Sequence, residues 1–143
     1  MKLEGLEQIV SAMEKMADDV KGDPLRASLR RGMTPVLEDA KQRAPQDSGR
    51  LERNILMRPI PPKDMPPGFT DGQEVFVRSS RRKSKDDQTN AWYWRFIEFG
   101  TRHMPARPFL RPAIDGKRTQ AMREFTDEMR KQVERTARRI AKT

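Results

Sequence analysis

The sequence has no cysteine and a single histidine among its 143 residues. Without cysteine there are neither disulfides nor thiolate chemistry, which agrees with assembly in a reducing cytoplasm. The histidine, His103, has no second histidine and no nearby acid at ligand spacing, so no metal-binding pattern is present. We therefore expect His103 to be a loop residue, and we expect no metal and no other cofactor.

Apolar residues are also scarce. Hydrophobic residues make up 34% of the chain, and adding the glycines still leaves the apolar share below the roughly 45–50% typical of globular domains. There is no run of 18 apolar residues and no charged leader followed by an apolar segment. We expect a soluble, unexported protein with one domain over residues 1–143, whose small core is supplemented by oligomerisation.

Sequence motifs of catalysis are missing as well. Ser48 and Ser79 lie in no nucleophile elbow, and the chain has neither a phosphate-binding glycine loop nor an RNA-recognition motif. Glu98 stands alone in an aromatic segment and, taken in isolation, could be a general base. Its position just before Gly100 instead favours pairing with Arg95, Arg107 or Arg111. We expect no catalytic residue and no enzymatic activity.

Charge is plentiful but uneven. The formal net charge is +9; residues 1–23 carry −3 and residues 111–143 carry +5. The two ends are complementary, so they could pack within one chain or head to tail between copies. The excess could also face DNA phosphates without reading sequence. The candidate DNA-facing residues are Arg81, Arg82, Lys83 and Lys85, although a solvated loop is the other interpretation because Asp86 and Asp87 follow them.

Hydrophobic spacing predicts three helices. An acidic helix over 3–21 comes first, and a second begins at Asp23 and continues to Pro45, with an interruption at Gly32 or Pro35. The last helix covers 112–141 and has a basic end that projects or packs on a neighbour. Alternating residues predict strands over 51–58, 74–78 and 92–99.

Two loops separate these strands. The proline-rich segment 59–72 reads as a stiff exposed loop rather than a proline-motif ligand, and the basic segment 79–90 as the tip of a hairpin between the second and third strands. The predicted class is α+β, with an antiparallel sheet of three to four strands, two N-terminal helices and a long C-terminal helix packed on the sheet.

As a strand, the segment 92–99 would be apolar on both faces. One face would then be buried by the rest of the domain, and we expect the other to be buried by another subunit. After it, the prolines of segment 105–112 would hold Phe109 outward as an anchor between two arginines. The predicted interface residues are Glu98, Phe99, Arg107, Phe109 and Arg111.

Three segments, 44–51 (APQDSGRL), 96–101 (FIEFGT) and 106–113 (ARPFLRPA), occur in an order and spacing that resemble a bacteriophage morphogenesis family. These are the neck, head-tail joining or tail-completion proteins of long-tailed phages and prophages. The similarity spans roughly residues 25–135, while the proline-rich and basic loops depart from the usual pattern.

The resemblance implies a structural virion protein, made in the host cytoplasm, that joins the head connector to the tail. It implies a homo-oligomeric ring in the neck or at the top of the tail, with a hexamer as the expectation. The partners would be the same chain, connector and tail proteins and, without sequence specificity, packaged DNA; no membrane is involved. The competing hypothesis is a basic, sequence-nonspecific nucleic-acid-binding protein.

Overall fold

A computed structural model describes residues 6–80 and 89–142. The helices are α1 (Leu6–Lys21), α2 (Asp23–Arg43), α3 (Arg50–Arg53), α4 (Trp94–Phe99) and α5 (Leu110–Ala141), with a 3-10 turn at Pro62–Asp64. The strands are β1 (Ile55–Pro59) and β2 (Gln73–Val77). The α+β class and the three long helices are therefore confirmed.

α2 is continuous, so the predicted interruption is wrong. Pro35 lies inside it and is buried. Gly32 serves close packing: a Cβ there would lie 2.9 Å from Cβ of Phe125 and 3.1 Å from the carbonyl oxygen of Ala121 on α5. The glycine thus lets two helix backbones approach, and the gain in packing outweighs the local cost of glycine and proline.

Within the described residues the sheet has two strands, not three or four. β1 and β2 are antiparallel, with Ile55 opposite Val77 and Pro59 opposite Gln73. The predicted first strand begins late because residues 50–53 form the single turn α3. β2 pairs with β1 across the proline-rich connection, so the predicted hairpin of the second and third strands is wrong.

The predicted third strand is the helix α4. Its inward residues are Trp94, Ile97 and Glu98, which follow helical spacing, while Phe96 and Phe99 are 45% and 74% exposed. Large apolar residues occupy six of the eight positions from 92 to 99, so the apolar pattern fits a period of 2 as well as one of 3.6. The buried positions, which the sequence does not reveal, decide between them.

The core is small and lies where α2, α3, the sheet and the start of α5 meet. Its buried hydrophobic residues are Val36, Ala40, Ala44, Leu51, Ile55, Val77, Ala91, Phe109 and Ala113. α5 packs mainly along α2 rather than on the sheet, and its end contacts α1, where Arg139 pairs with Asp19 at 3.1 Å. Of the two predicted uses of the complementary ends, packing within one chain is therefore observed, and the C-terminal end of α5 does not simply project.

Candidate assembly surface

The residues after α4 fold back onto it. The Arg107 N–H donates to the Ile97 carbonyl at 2.8 Å, and the backbones of Thr101 and Met104 bond to each other at 2.8 and 3.3 Å. Gly100 starts this return with φ +75°, and a Cβ there would lie 2.7 Å from the Ala106 nitrogen. Only glycine fits both the conformation and the space.

Glu98 fastens the returning chain to the helix that follows. Its side chain is buried, and its two carboxylate oxygens accept three backbone N–H groups. Oε2 accepts from Phe109 at 2.8 Å and from Leu110 at 3.1 Å, and Oε1 accepts from Arg111 at 3.1 Å. These N–H groups start α5, where they have no partner within the helix and where the helix dipole favours a negative charge.

Within one chain the predicted pairing of Glu98 with an arginine side chain is wrong: the donors are the backbone N–H groups of residues 109–111. The predicted alternative, an arginine across a subunit boundary, stays a prediction. Within the described part of the chain, the bonds to Glu98 come from backbone nitrogens. The Arg95 guanidinium lies 5.5 Å from the Trp94 ring centroid. The Arg111 side chain is 87% exposed and lies 4.0 Å from Asp115, and Arg107 is exposed. The only available signal was the start of α5 itself, whose free N–H groups favour a negatively charged partner; the sequence does not say which carboxylate supplies it.

Phe109 is not held outward. It is 0% exposed and is the largest fully buried side chain. The backbone N–H groups of residues 109–111 donate to Glu98 and fix the start of α5, and Phe109 belongs to the buried core. Its predicted role as an exposed interface anchor is wrong, because a partner has no access to it in this fold.

Phe99, one of the predicted interface residues, is the most exposed aromatic of this region, at 74%; its interface role stays a prediction. Together with Phe96, one helical turn away, it forms what we call the aromatic face of α4. Trp92 packs edge-on to Phe96 at 6.2 Å between ring centroids, and Trp94 lies 6.4 Å from Phe99. The face thus combines exposed aromatic side chains with a backbone held by the hydrogen bonds of Glu98 and the turn at Gly100. Exposed aromatic residues on a fixed backbone are typical of protein interfaces.

Sequence reasoning missed a second exposed aromatic, Phe69, which is 66% exposed. Its N–H donates to the Pro66 carbonyl at 3.2 Å across a turn in which Gly68 has φ +86°. The turn borders an open cleft of about 490 Å³ that includes Ile60 and Met65. The Pro-Pro-Gly-Phe sequence was the available signal, since proline then glycine specifies such a turn.

The four candidate DNA-facing residues, Arg81, Arg82, Lys83 and Lys85, lie outside the described residues. The described residues on either side of them are joined: the Ser80 N–H donates to Asn90 Oδ1 at 2.8 Å, and Asn90 Nδ2 donates to Ser80 Oγ at 3.0 Å.

In residues 6–80 and 89–142, no group of three or more His, Cys, Asp or Glu side chains is placed to hold a metal ion. None of the helices in these ranges is both long enough and apolar enough to cross a bilayer.

The model of one protein family matches residues 7–100, about two thirds of the chain. The family is described as "Bacteriophage HK97-gp10, putative tail-component". The chain belongs to this HK97-gp10-like family. The match contains the first of the three sequence segments and most of the second, and it ends at Gly100, so the third segment and α5 lie beyond it. No curated protein and no solved structure matches the chain.

Proposed function

We propose that this HK97-gp10-like protein is a structural, non-enzymatic virion protein that joins the phage head to the tail. It acts as a ring, taken to be a hexamer, in the neck or at the top of the tail. The observation that carries the proposal is the family match over residues 7–100, which gives a structural phage role. The finer assignment to the head-tail joint comes from the resemblance of the three segments.

The aromatic face of α4 is the proposed contact with the neighbouring virion protein. Phe99 is 74% exposed, yet its backbone is fixed between the buried Glu98 and the turn at Gly100, whose φ is +75°. Exposure of a large apolar side chain costs free energy in the isolated chain, and a partner that covers it recovers about 25 cal/mol per Å². Arg107 and Arg111 are exposed on the following segment and are available to carboxylates of the partner.

The test is complementation in a phage or prophage from which the coding sequence has been deleted. We expect electron microscopy to show filled heads and separate tails, and the wild-type protein to restore joined virions and to be found in them. Phe99→Ala should fail to restore joining while keeping a near-normal melting temperature. Phe69→Ala is the matched control, because it removes an aromatic of similar exposure from the proline-rich connection.

Two results would refute the proposal. If the deletion leaves head-tail joining intact, the protein does not act at this joint. If joined virions form but contain none of the protein, it is not a structural component.

A further inference from the structure

The first half of α1 is an amphipathic helix with an uncovered apolar side. Every side chain from Glu7 to Lys15 is exposed, including Ile9 at 59%, Val10 at 46% and Met13 at 64%. Beside Val10 and Met13, Glu7 and Glu14 lie two turns apart on the same side of the helix. Among the described residues neither acid has an ion-pair partner. We call these four residues the acidic ridge.

α5 carries a second uncovered surface of opposite charge. Met122, Met129 and Val133 are spaced by seven and four residues and so lie on one side of the helix. Met122 is 60% exposed, and an open groove of about 350 Å³ is lined by Phe125, Met129 and Val133. Arg123 and Arg130 border this strip, again two turns apart, and form no ion pair with any described residue. We call Met122, Met129, Val133 and these two arginines the basic strip.

The strip continues a surface that α1 already covers within the chain. Ile140 lies seven residues beyond Val133 on the same side of α5, and with Ala137 it borders an open groove whose other wall is Met13 and Met16 of α1. Met13 stays 64% exposed at the edge of this groove. An acid of α1 pairs with an arginine of α5 at this contact, Asp19 with Arg139 at 3.1 Å. The chain therefore contains an example of α1 on α5, and the open strip is the next part of the same surface.

We infer that the acidic ridge of one copy binds the basic strip of the next copy, head to tail. This inference rests on the proposed self-assembly and names its surfaces. The pairs Glu7–Glu14 and Arg123–Arg130 have the same spacing, about 10.5 Å along a helix, so both acids can meet both arginines at once. Because the two surfaces differ, the contact is heterologous. Two bound copies still have one free ridge and one free strip between them, so further copies can bind until the ring closes.

Asp127 and Glu134 limit how the ridge can sit. They lie on α5 beyond the two arginines, on the side away from the apolar strip. If α1 of the other copy shifted toward Asp127 and Glu134, its acidic residues would be repelled. The acidic ridge is therefore restricted to the apolar residues of the basic strip and to Arg123 and Arg130. For the same reason, an acidic segment that has no apolar residues should not bind stably at the basic strip.

Disulfide trapping tests the contact directly, because the chain has no cysteine of its own. Two full-length variants are used, Met13→Cys with Met122→Cys and Met13→Cys with Met129→Cys, one for each relative direction of the helices. Within one chain, Met122 and Met129 lie about 22 and 12 Å along α5 from the place where α1 packs, too far for an internal disulfide. Met13→Cys with Lys131→Cys, on another side of α5, is the control.

We expect one of the two test pairs to give, on oxidation, a ladder of dimers, trimers and higher species, while the control and the single-cysteine variants give at most dimers. Glu7→Arg with Glu14→Arg should weaken the ladder, and so should Arg123→Glu with Arg130→Glu, by about tenfold each. Combining all four reversals should restore it. The control Lys131→Glu with Arg138→Glu, at the same spacing on α5, should have little effect.

A product that stops at dimers, or no product from either test pair, would overturn the inference, as would reversals that the combined variant does not rescue. These results are independent of the virion assay. If the protein is found at the head-tail joint but gives no ladder, the proposed function stands and this contact is refuted. If it gives a ladder but is absent from virions, the contact stands and the proposed function is refuted.

Discussion

Glu98 gives the sharpest test of how this fold is held together. Replacing it with Gln keeps its size but removes its charge and one acceptor oxygen. Oε2 serves Phe109 and Leu110, and Oε1 serves Arg111. An amide oxygen at the Oε2 position preserves two bonds, but the NH₂ group then faces the Arg111 N–H, donor against donor.

The expected loss is one charge-assisted hydrogen bond, about 1–3 kcal/mol including the orphaned donor, with a smaller contribution from the lost charge at the helix N-terminus. We take about 2 kcal/mol, which for a chain of this size lowers Tm by about 6 °C. Glu98→Ala leaves all three donors without a side-chain acceptor, and we expect about 3–5 kcal/mol.

The assay is urea unfolding followed by far-UV circular dichroism, with melting curves in parallel. Asp115→Asn is the control, because Asp115 is a carboxylate near the same helix start but its side chain is 60% exposed. Its loss should be within about 0.5 kcal/mol. A cost for Glu98→Gln no larger than that of the control would refute the capping role.

Phe109→Ala should destabilise the fold by about 3–5 kcal/mol, measured by urea unfolding, because it removes the largest fully buried side chain. An unchanged urea midpoint would show that Phe109 is not a core residue and would support its assignment to an interface. Gly100→Ala should lower Tm and loosen the loop to proteolysis, whereas Gly22→Ala, with nothing within 4 Å of the added Cβ, should not. Binding to unrelated DNA duplexes should be weak and fall steeply with salt, and a strong preference for one sequence in fluorescence anisotropy would contradict this.

The long helices could be predicted because their signals are local. Residues 23–24 supply an acid and a proline for a helix start, and the apolar spacing of α1 and α5 repeats over several turns. The short elements could not. α4 has six residues, too few for a period to separate helix from strand when apolar residues recur at both the strand and the helix spacing.

The sequence predicted one contact of Glu98 in part. Arg111 was a candidate partner, and its backbone N–H does donate to Glu98. The interface role of Phe99 and the arginines stays a prediction. The sequence could not assign Phe109, because whether a phenylalanine between prolines faces inward depends on where the backbone of residues 109–111 is anchored. That anchor is a carboxylate eleven residues earlier, a tertiary contact that spacing alone does not specify.

The capped helix start connects stability with the proposed assembly. Glu98 and Phe99 are adjacent on α4. The buried carboxylate that accepts three hydrogen bonds is therefore next to a largely exposed aromatic side chain. An anchor on a free loop would lose conformational entropy when it bound a partner, whereas here folding has already fixed the backbone. Weakening the cap should therefore reduce assembly as well as stability. Glu98→Gln should impair head-tail joining even at temperatures where the domain stays folded, while Phe109→Ala should do so only as the domain unfolds.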